Sequence, residues 1–266
     1  MVKIGIIGGS GLDDPKILKN AKVITVETAC GSPSSPLSAG KIEGTEVIIL
    51  ARHGRAHTIP PTQVNNRANI QALKEQSCTH ILATTACGSL RDEIKRGDFI
   101  ILDQFIDFTR RRKISFFEHF ELGAENAKHT PMADPFSEEL RTKLIQAGRE
   151  LGLRIHEKGT VITIEGPRFS TRAESRMFRL WGADIINMSI APEAILANEA
   201  GIPYAAVAMS TDYDCWKTDE PPVKWPKILA VFEKNVENVK KLLLKTIPKV
   251  GAPFMAPAGR INPPPT

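Results

Sequence analysis

The four cysteines of this 266-residue chain, Cys30, Cys78, Cys87 and Cys215, form no C-x-x-C pair. That excludes the usual structural zinc spacings and gives no disulfide framework. Free thiols point to a reducing compartment, so a cytoplasmic location is expected. The N-terminus has one Lys and a short apolar run ending at Gly8-Gly9, which is neither a signal peptide nor a membrane span. Nucleotide signatures are missing as well. Gly8-Gly9-Ser10-Gly11 is not G-x-G-x-x-G and lacks a Gly-Lys-Ser/Thr ending, so dinucleotide and triphosphate binding are disfavoured. No linker or composition shift divides the chain. Its formal charge of +5 is mild, and suits an anionic small substrate as well as nucleic acid.

What is present is ordinary globular material, with 42% hydrophobic and 24% charged residues. Apolar, β-branched runs predict strands over 2–7, 46–50, 80–85, 98–103, 160–164, 184–188 and 204–209. Helical patterns fall between several of them, over 69–75, 135–151, 171–181, 192–200 and 226–246. The third of these places Ala173, Met177, Phe178 and Trp181 on one face. Strands alternating with helices predict an α/β fold around a mostly parallel or mixed sheet. One domain over 1–247 is expected. Residues 248–266 carry six prolines and little periodicity, and read as a loose tail.

The basic run Arg110-Arg111-Arg112-Lys113 is followed by Phe116, Phe117 and Phe120. Basic residues beside aromatics suit single-stranded nucleic acid. A single cluster rather than a stripe favours a solvated or substrate-gating loop.

Chemistry-bearing residues recur just past predicted strands, where open α/β sheets bind ligands. Ser10 sits in a glycine-rich turn that offers backbone N–H groups and a hydroxyl to an anion. Arg52 brings a rigid donor fork matched to phosphate, and His53 a donor whose charge titrates. Thr85 and Ala86 lie in a small, hydroxyl-rich strand end. Cys87 beside them reads as a buried filler. Phe169, with Ser170, occupies the turn after another strand, a flat surface suited to stacking on a base. Met188-Ser189 adds an apolar contact and a hydroxyl. Asp212 and Asp214 alternate with Tyr213. In an extended chain they face one way, and paired acids facing one ligand can split roles. An Asx-rich turn is the alternative for the same residues.

The strings Gly-Ile-Ile-Gly-Gly-Ser-Gly-Leu, Ala-Arg-His-Gly-Arg, Thr-Thr-Ala-Cys-Gly-Ser-Leu, Glu-Gly-Pro-Arg-Phe-Ser-Thr-Arg-Ala-Glu-Ser, Asn-Met-Ser and Thr-Asp-Tyr-Asp-Cys-Trp-Lys occur in that order from about residue 3 to about 247. Together they resemble the trimeric purine nucleoside phosphorylase family, and within it the enzymes acting on 5′-methylthioadenosine. The resemblance implies one α/β domain with a central mixed, partly barrel-like sheet, assembled as a homotrimer. It implies phosphorolysis of a nucleoside to adenine and 5-methylthioribose 1-phosphate, a purine and methionine salvage reaction. Inorganic phosphate is then a co-substrate, with no metal, organic cofactor, nucleic acid or membrane involved.

By position, the resemblance sets phosphate against Ser10, Arg52, His53, Thr85, Ala86 and Ser189. It sets Met188 under the ribose, Phe169 and Ser170 at the base, and Asp212 and Asp214 on the adenine, with Asp212 as the acid. His57 and His129 match positions near the 5′ end, His129 reaching from a neighbouring subunit. Ser189 stands where Thr is common. Trp225 falls where smaller aliphatic side chains border the 5′ pocket. A Cys-x-Cys tail is lacking, which argues against a disulfide-stabilised hexamer. The rivals are a phosphorylase for 6-oxopurine nucleosides or methylthioinosine, for which an Asn and small residues are expected in place of the acids, and a non-catalytic nucleic-acid-binding module.

Overall fold

The computed structural model describes residues 1–8, 17–118, 127–219 and 225–252. Its strands are β1 (Lys3–Gly8), β2 (Lys19–Ile24), β3 (Leu37–Ile42), β4 (Thr45–Ala51), β5 (His80–Ser89), β6 (Phe99–Ile101), β7 (Gln104–Phe108), β8 (Ile155–His156), β9 (Thr160–Ile164), β10 (Ile185–Asn187) and β11 (Tyr204–Asp212). The helices are α1 (Asn66–Glu75), α2 (Glu138–Glu150), α3 (Arg172–Leu180), α4 (Ile190–Glu199) and α5 (Trp225–Thr246).

The strands form one mixed sheet in the order β2-β3-β4-β1-β5-β10-β9-β7, with β11, β6 and β8 branching from β5. Among the described residues no pairing closes it, so the expected partly barrel-like sheet is an open, branched one.

Alternation along the central strands feeds two cores. Ile7 of β1, Ile81 and Ala83 of β5, and Ala206 and Ala208 of β11 pack with Ile70 and Leu73 of α1 and Ala194 of α4. Ile4 and Ile6, Leu82, and Ala205 and Val207 point the other way, toward Leu140 and Leu144 of α2 and Leu242 of α5. Strands buried on both faces carry continuous apolar runs, which is why these three were legible as strands. A third cluster packs Ile162 and Ile164 of β9 against Phe178 of α3.

Several boundaries differ from expectation. α1 starts three residues before the predicted 69, because the Asn65 side chain caps it by accepting from the Ala68 N–H at 3.2 Å. α4 starts before Pro192, which sits in the first turn, where a missing N–H costs nothing. The predicted strand over 98–103 shortens to β6, Phe99–Ile101, and β7, which begins after it at Gln104, joins different neighbours. On α3 only Ser175 and Phe178 are buried, while Ala173 is exposed and Trp181 half-exposed. Past the predicted boundary at 247, Val250 is buried in the second core and Lys143 Nζ donates to the Ala252 carbonyl at 3.2 Å. The packed chain therefore continues into the segment read as tail, and residues 253–266 lie outside the described part.

Candidate active site

The pocket opens where β5 changes neighbours. β1 pairs with residues 80–83 of β5, and β10 joins antiparallel only at Gly88 and Ser89. Neither pairs with residues 84–87, so that edge of β5 faces a cavity of about 670 Å³. Its size suits one small molecule. The walls include Arg52, His53, His57, Thr85, Ala86, Phe169, Ser170, Met188, Ser189, Asp212 and Asp214. The structure thus brings together residues that the sequence scatters over more than 160 positions.

Three expected residues are not among these walls. Ser10 lies outside the described residues. Trp225 opens α5, and its side chain is likewise outside them, although Ile228 one turn later does line the pocket. His129 is exposed and lies outside the lining of its own chain's pocket.

One end of the cavity gathers Arg52 and His53. Arg52 leaves the end of β4 and is 2% exposed. Its fork grips Glu193 of α4, Nε to Oε1 at 2.5 Å and Nη2 to Oε2 at 3.0 Å, and Nη1 donates to the Thr84 carbonyl at 2.8 Å. The bidentate face expected to hold phosphate is therefore spent on Glu193. With three of its five N–H groups used, the remaining two are left for the pocket. Tyr204 Oη donates to Glu193 Oε2 at 2.9 Å. Burial works against the Arg52 charge, but Glu193 more than offsets it and raises the pKa.

His53 Nδ1 lies 2.8 Å from the Ile59 carbonyl, which only accepts, so Nδ1 carries the proton. Burial, then the Arg52 charge, pushes this imidazole down to about 4. Neutral His53 offers Nε2 as an acceptor, suited to a protonated phosphate oxygen. The His57 ring lies 4.7 Å from it, centroid to centroid.

The hydroxyls are tied into one network. Thr85 Oγ1 and Ser189 Oγ are 3.2 Å apart, Asn187 Nδ2 donates to Thr85 Oγ1 at 3.3 Å, and Thr163 Oγ1 donates to Asn187 Oδ1 at 2.8 Å. Met188 packs against Gly166. A Cβ on Gly166, whose φ is +68°, would sit 2.5 Å from Met188 Sδ. Arg112, drawn from the basic run, donates to Glu165 Oε1, to the Glu165 carbonyl and to the Met188 carbonyl. Its side chain is 2% exposed, so the run is not a uniformly solvated loop. Phe116 turns inward onto the first core as well.

At the other end, β11 stays extended to Asp212 and then turns. Asp214 has φ +48° and its N–H donates to Asp212 Oδ1 at 2.8 Å. The extended geometry expected through 214 is replaced by an Asx turn, and this turn sets both carboxyls in the pocket wall. Burial raises Asp212 to about 6 and raises Asp214 as well. A Cβ on Gly88 would lie 2.9 Å from Asp212 Oδ1, so only glycine lets β5 approach the acid this closely. Cys87 is buried, with its thiol pushed up by burial, as suits a filler. Among the described residues no group of three or more His, Cys, Asp or Glu side chains could hold a metal ion, and no helix is long and apolar enough to cross a membrane.

Residues 3–248 match the family described as the phosphorylase superfamily. The chain belongs to this superfamily. Among curated phosphorylases, the S-methyl-5′-thioadenosine phosphorylase of Xenopus tropicalis is 54% identical over 252 residues, 94% of this chain and 90% of that one. The Danio rerio protein of the same name is 52% identical over 249 residues, 94% and 89% of the two chains. A solved methylthioadenosine phosphorylase from Schistosoma mansoni in complex with adenine superposes with a TM-score of 0.88 at 43% identity, covering 96% of this chain and 93% of that one. A mutant of the Schistosoma adenosine/methylthioadenosine phosphorylase in complex with methylthioadenosine gives 0.87 at 42%, with the same coverage.

Sequence reading missed Glu193 and Asn187 as functional residues. Asn187 stands in a quoted string at a strand end, which was its only signal. Glu193 lies 141 residues from Arg52, and an acid in a helix's first turn reads as a dipole partner.

Proposed function

We propose that this chain catalyses reversible phosphorolysis of 5′-methylthioadenosine, giving adenine and 5-methylthioribose 1-phosphate. One observation carries the reading: a single cavity has a buried carboxyl raised to about 6 in one wall and a neutral His beside a buried Arg in another. Breaking an N-glycosidic bond leaves positive charge on the sugar and negative charge on the purine, and both must be met. Protonated Asp212 donates to a ring nitrogen of the leaving base, and Asp214 accepts from the exocyclic amine. Phosphate, held by Arg52, His53, Thr85, Ala86, Ser189 and Ser10, faces the sugar carbon and becomes bonded to it. Phosphate itself is the nucleophile, so the reaction calls for neither a metal nor an organic cofactor.

Met188, held by Arg112, forms the ribose floor, and Phe169, 41% exposed at the rim, stacks on the base. His57 and Trp225 border the 5′ group. The active form is a homotrimer in the cytoplasm, with His129 completing a neighbour's pocket. Leu180, 87% exposed, and Trp181, 51% exposed and edge-on to Phe108, supply apolar surface for such a contact.

The test is release of adenine from methylthioadenosine with and without phosphate, beside adenosine and inosine. Phosphate-dependent release, sustained by arsenate and scarce with inosine, is expected. Asp212→Asn should lower turnover at least about tenfold, within the general-acid range. Release without phosphate, or wild-type turnover in that variant, would refute the reading.

A further inference from the structure

Thr211 precedes Asp212 on β11, lines the pocket and is 3% exposed. Its Oγ1 lies 3.1 Å from the Cys87 carbonyl oxygen and 2.8 Å from Asp212 Oδ2. A hydroxyl has one proton and two lone pairs, whereas a carbonyl oxygen only accepts. One proton therefore fully serves one of these contacts at a time. On the other side of the carboxyl, Oδ1 accepts from the Asp214 backbone N–H, which only donates. This directs the carboxyl proton to Oδ2, beside Thr211.

Two arrangements leave both Thr211 and the Asp212 carboxyl paired. With Asp212 ionised, Thr211 donates to Oδ2. With Asp212 protonated, Oδ2–H donates to Thr211 Oγ1, and the Thr211 proton turns to the Cys87 carbonyl. They differ by the carboxyl proton and by rotation of the Thr211 O–H bond. A buried acid left without a partner carries a desolvation penalty, and here neither state is left so.

We propose that Thr211 is a positioning residue for proton transfer, its hydroxyl turning to hold Asp212 in either protonation state while the acid serves the departing base. The inference rests on Asp212 acting as the acid. In the step, the glycosidic bond breaks with its electron pair moving to the purine. The Oδ2–H turns from Thr211 Oγ1 to a ring nitrogen and its proton moves there, the O–H electrons remaining on Asp212 as a carboxylate. Thr211 then donates to that carboxylate, and phosphate oxygen bonds the sugar carbon. The other ionisable groups facing Asp212 are Asp214 on the turn, Arg96 and the buried Cys87 thiol on β5. None of them offers this exchange, since Asp214 and Arg96 act on Asp212 through their charge and the thiol is held neutral by burial.

Thr211→Val keeps the shape and removes the hydroxyl, whereas Thr211→Ser and Thr211→Ala differ from each other only by that hydroxyl. Charge-assisted hydrogen bonds are the stronger kind, so losing the hydroxyl hurts the carboxylate more than the neutral acid. In Val and Ala, kcat for methylthioadenosine should fall about tenfold with KM within about twofold. The Asp212 carboxyl, followed by carbon NMR and assigned by its loss in Asp212→Asn, should titrate above its wild-type position. Ser should restore both readouts. Wild-type kcat and titration in Val, or a loss in Ser as large as in Ala, would overturn the proposal. If Val does not fold, the Ser–Ala pair alone decides. The titration needs no substrate, so it reads the Thr211 link separately from the assignment of the reaction.

Discussion

A guanidinium as buried as Arg52 needs a counter-charge, and Glu193, itself 0% exposed, supplies one. Breaking such a pair from one side is far costlier than its net contribution, about 3–5 kcal/mol, because the remaining charge has no water to turn to. Arg52→Ala is therefore expected to damage folding first, and would say little about phosphate. Arg52→Lys keeps a cation beside Glu193 but loses the planar fork, and with it donors to the Thr84 carbonyl and the pocket. We expect this variant to fold, to raise the phosphate KM by about tenfold through loss of a charge-assisted contact, and to leave the nucleoside KM within about twofold. Saturation curves for each substrate measure the split. An equal rise in both constants would mean that Arg52 is only a structural partner of Glu193.

At the scale of elements, the site depends on what happens just past strand ends, in particular on the loop from β9 to α3. Thr171 and Glu174 cap α3 reciprocally, and Arg112 ties Glu165 to the Met188 carbonyl. Gly166 lies between these fixed points with φ +68° and Met188 Sδ where its Cβ would go. Gly166→Ala should destabilise the chain by about 1–3 kcal/mol through the left-handed backbone, and displace Met188 so that nucleoside KM rises while phosphate KM holds. Denaturant melts and the two KM values check this, and a silent substitution would show that the loop is free to adjust. The three strands buried on both faces, and the residues beyond them, were legible because a continuous apolar run ending in polar residues has one meaning in an α/β sheet. β2, exposed along most of its length, and the two-residue β8 left no such pattern. That the strand within 98–103 stops at Ile101 and β7 starts afresh at Gln104 is set by which neighbours they meet, and a local run of apolar residues carries no record of that. Glu193 was hidden for the same reason: its partner is distant in sequence and near only through the fold.

For the whole molecule, assembly and pH bear on the same pocket. If His129 completes a neighbour's site, dilution should lower specific activity in step with dissociation seen by sedimentation, and a fully active monomer would contradict the trimer. Two groups lining the pocket contribute to the pH dependence of stability with opposite signs. His53, near 4 in the folded chain against an ordinary 6.5, binds its proton more readily when unfolded. Its contribution is whole above about 6.5 and is lost as pH falls through 4. Asp212 is raised to about 6 from 3.8, so the folded chain holds a proton that the unfolded chain has released. That stabilisation is present below about 4 and is lost as pH rises through 6. At about 1.4 kcal/mol per unit, ionising Asp212 costs the fold on the order of 2–3 kcal/mol at neutral pH. Asp212→Asn should therefore be more stable than wild type at pH 7.5 by about that much, with the gain shrinking toward pH 4. His53→Gln, with no proton to gain, should flatten the acid side of the curve between pH 6.5 and 4. Denaturant midpoints for the three proteins from pH 4 to 8 measure both slopes. A gain in Asp212→Asn that stays constant across this range would mean that the carboxyl is ionised throughout, and it could not then be the proton donor to the departing base.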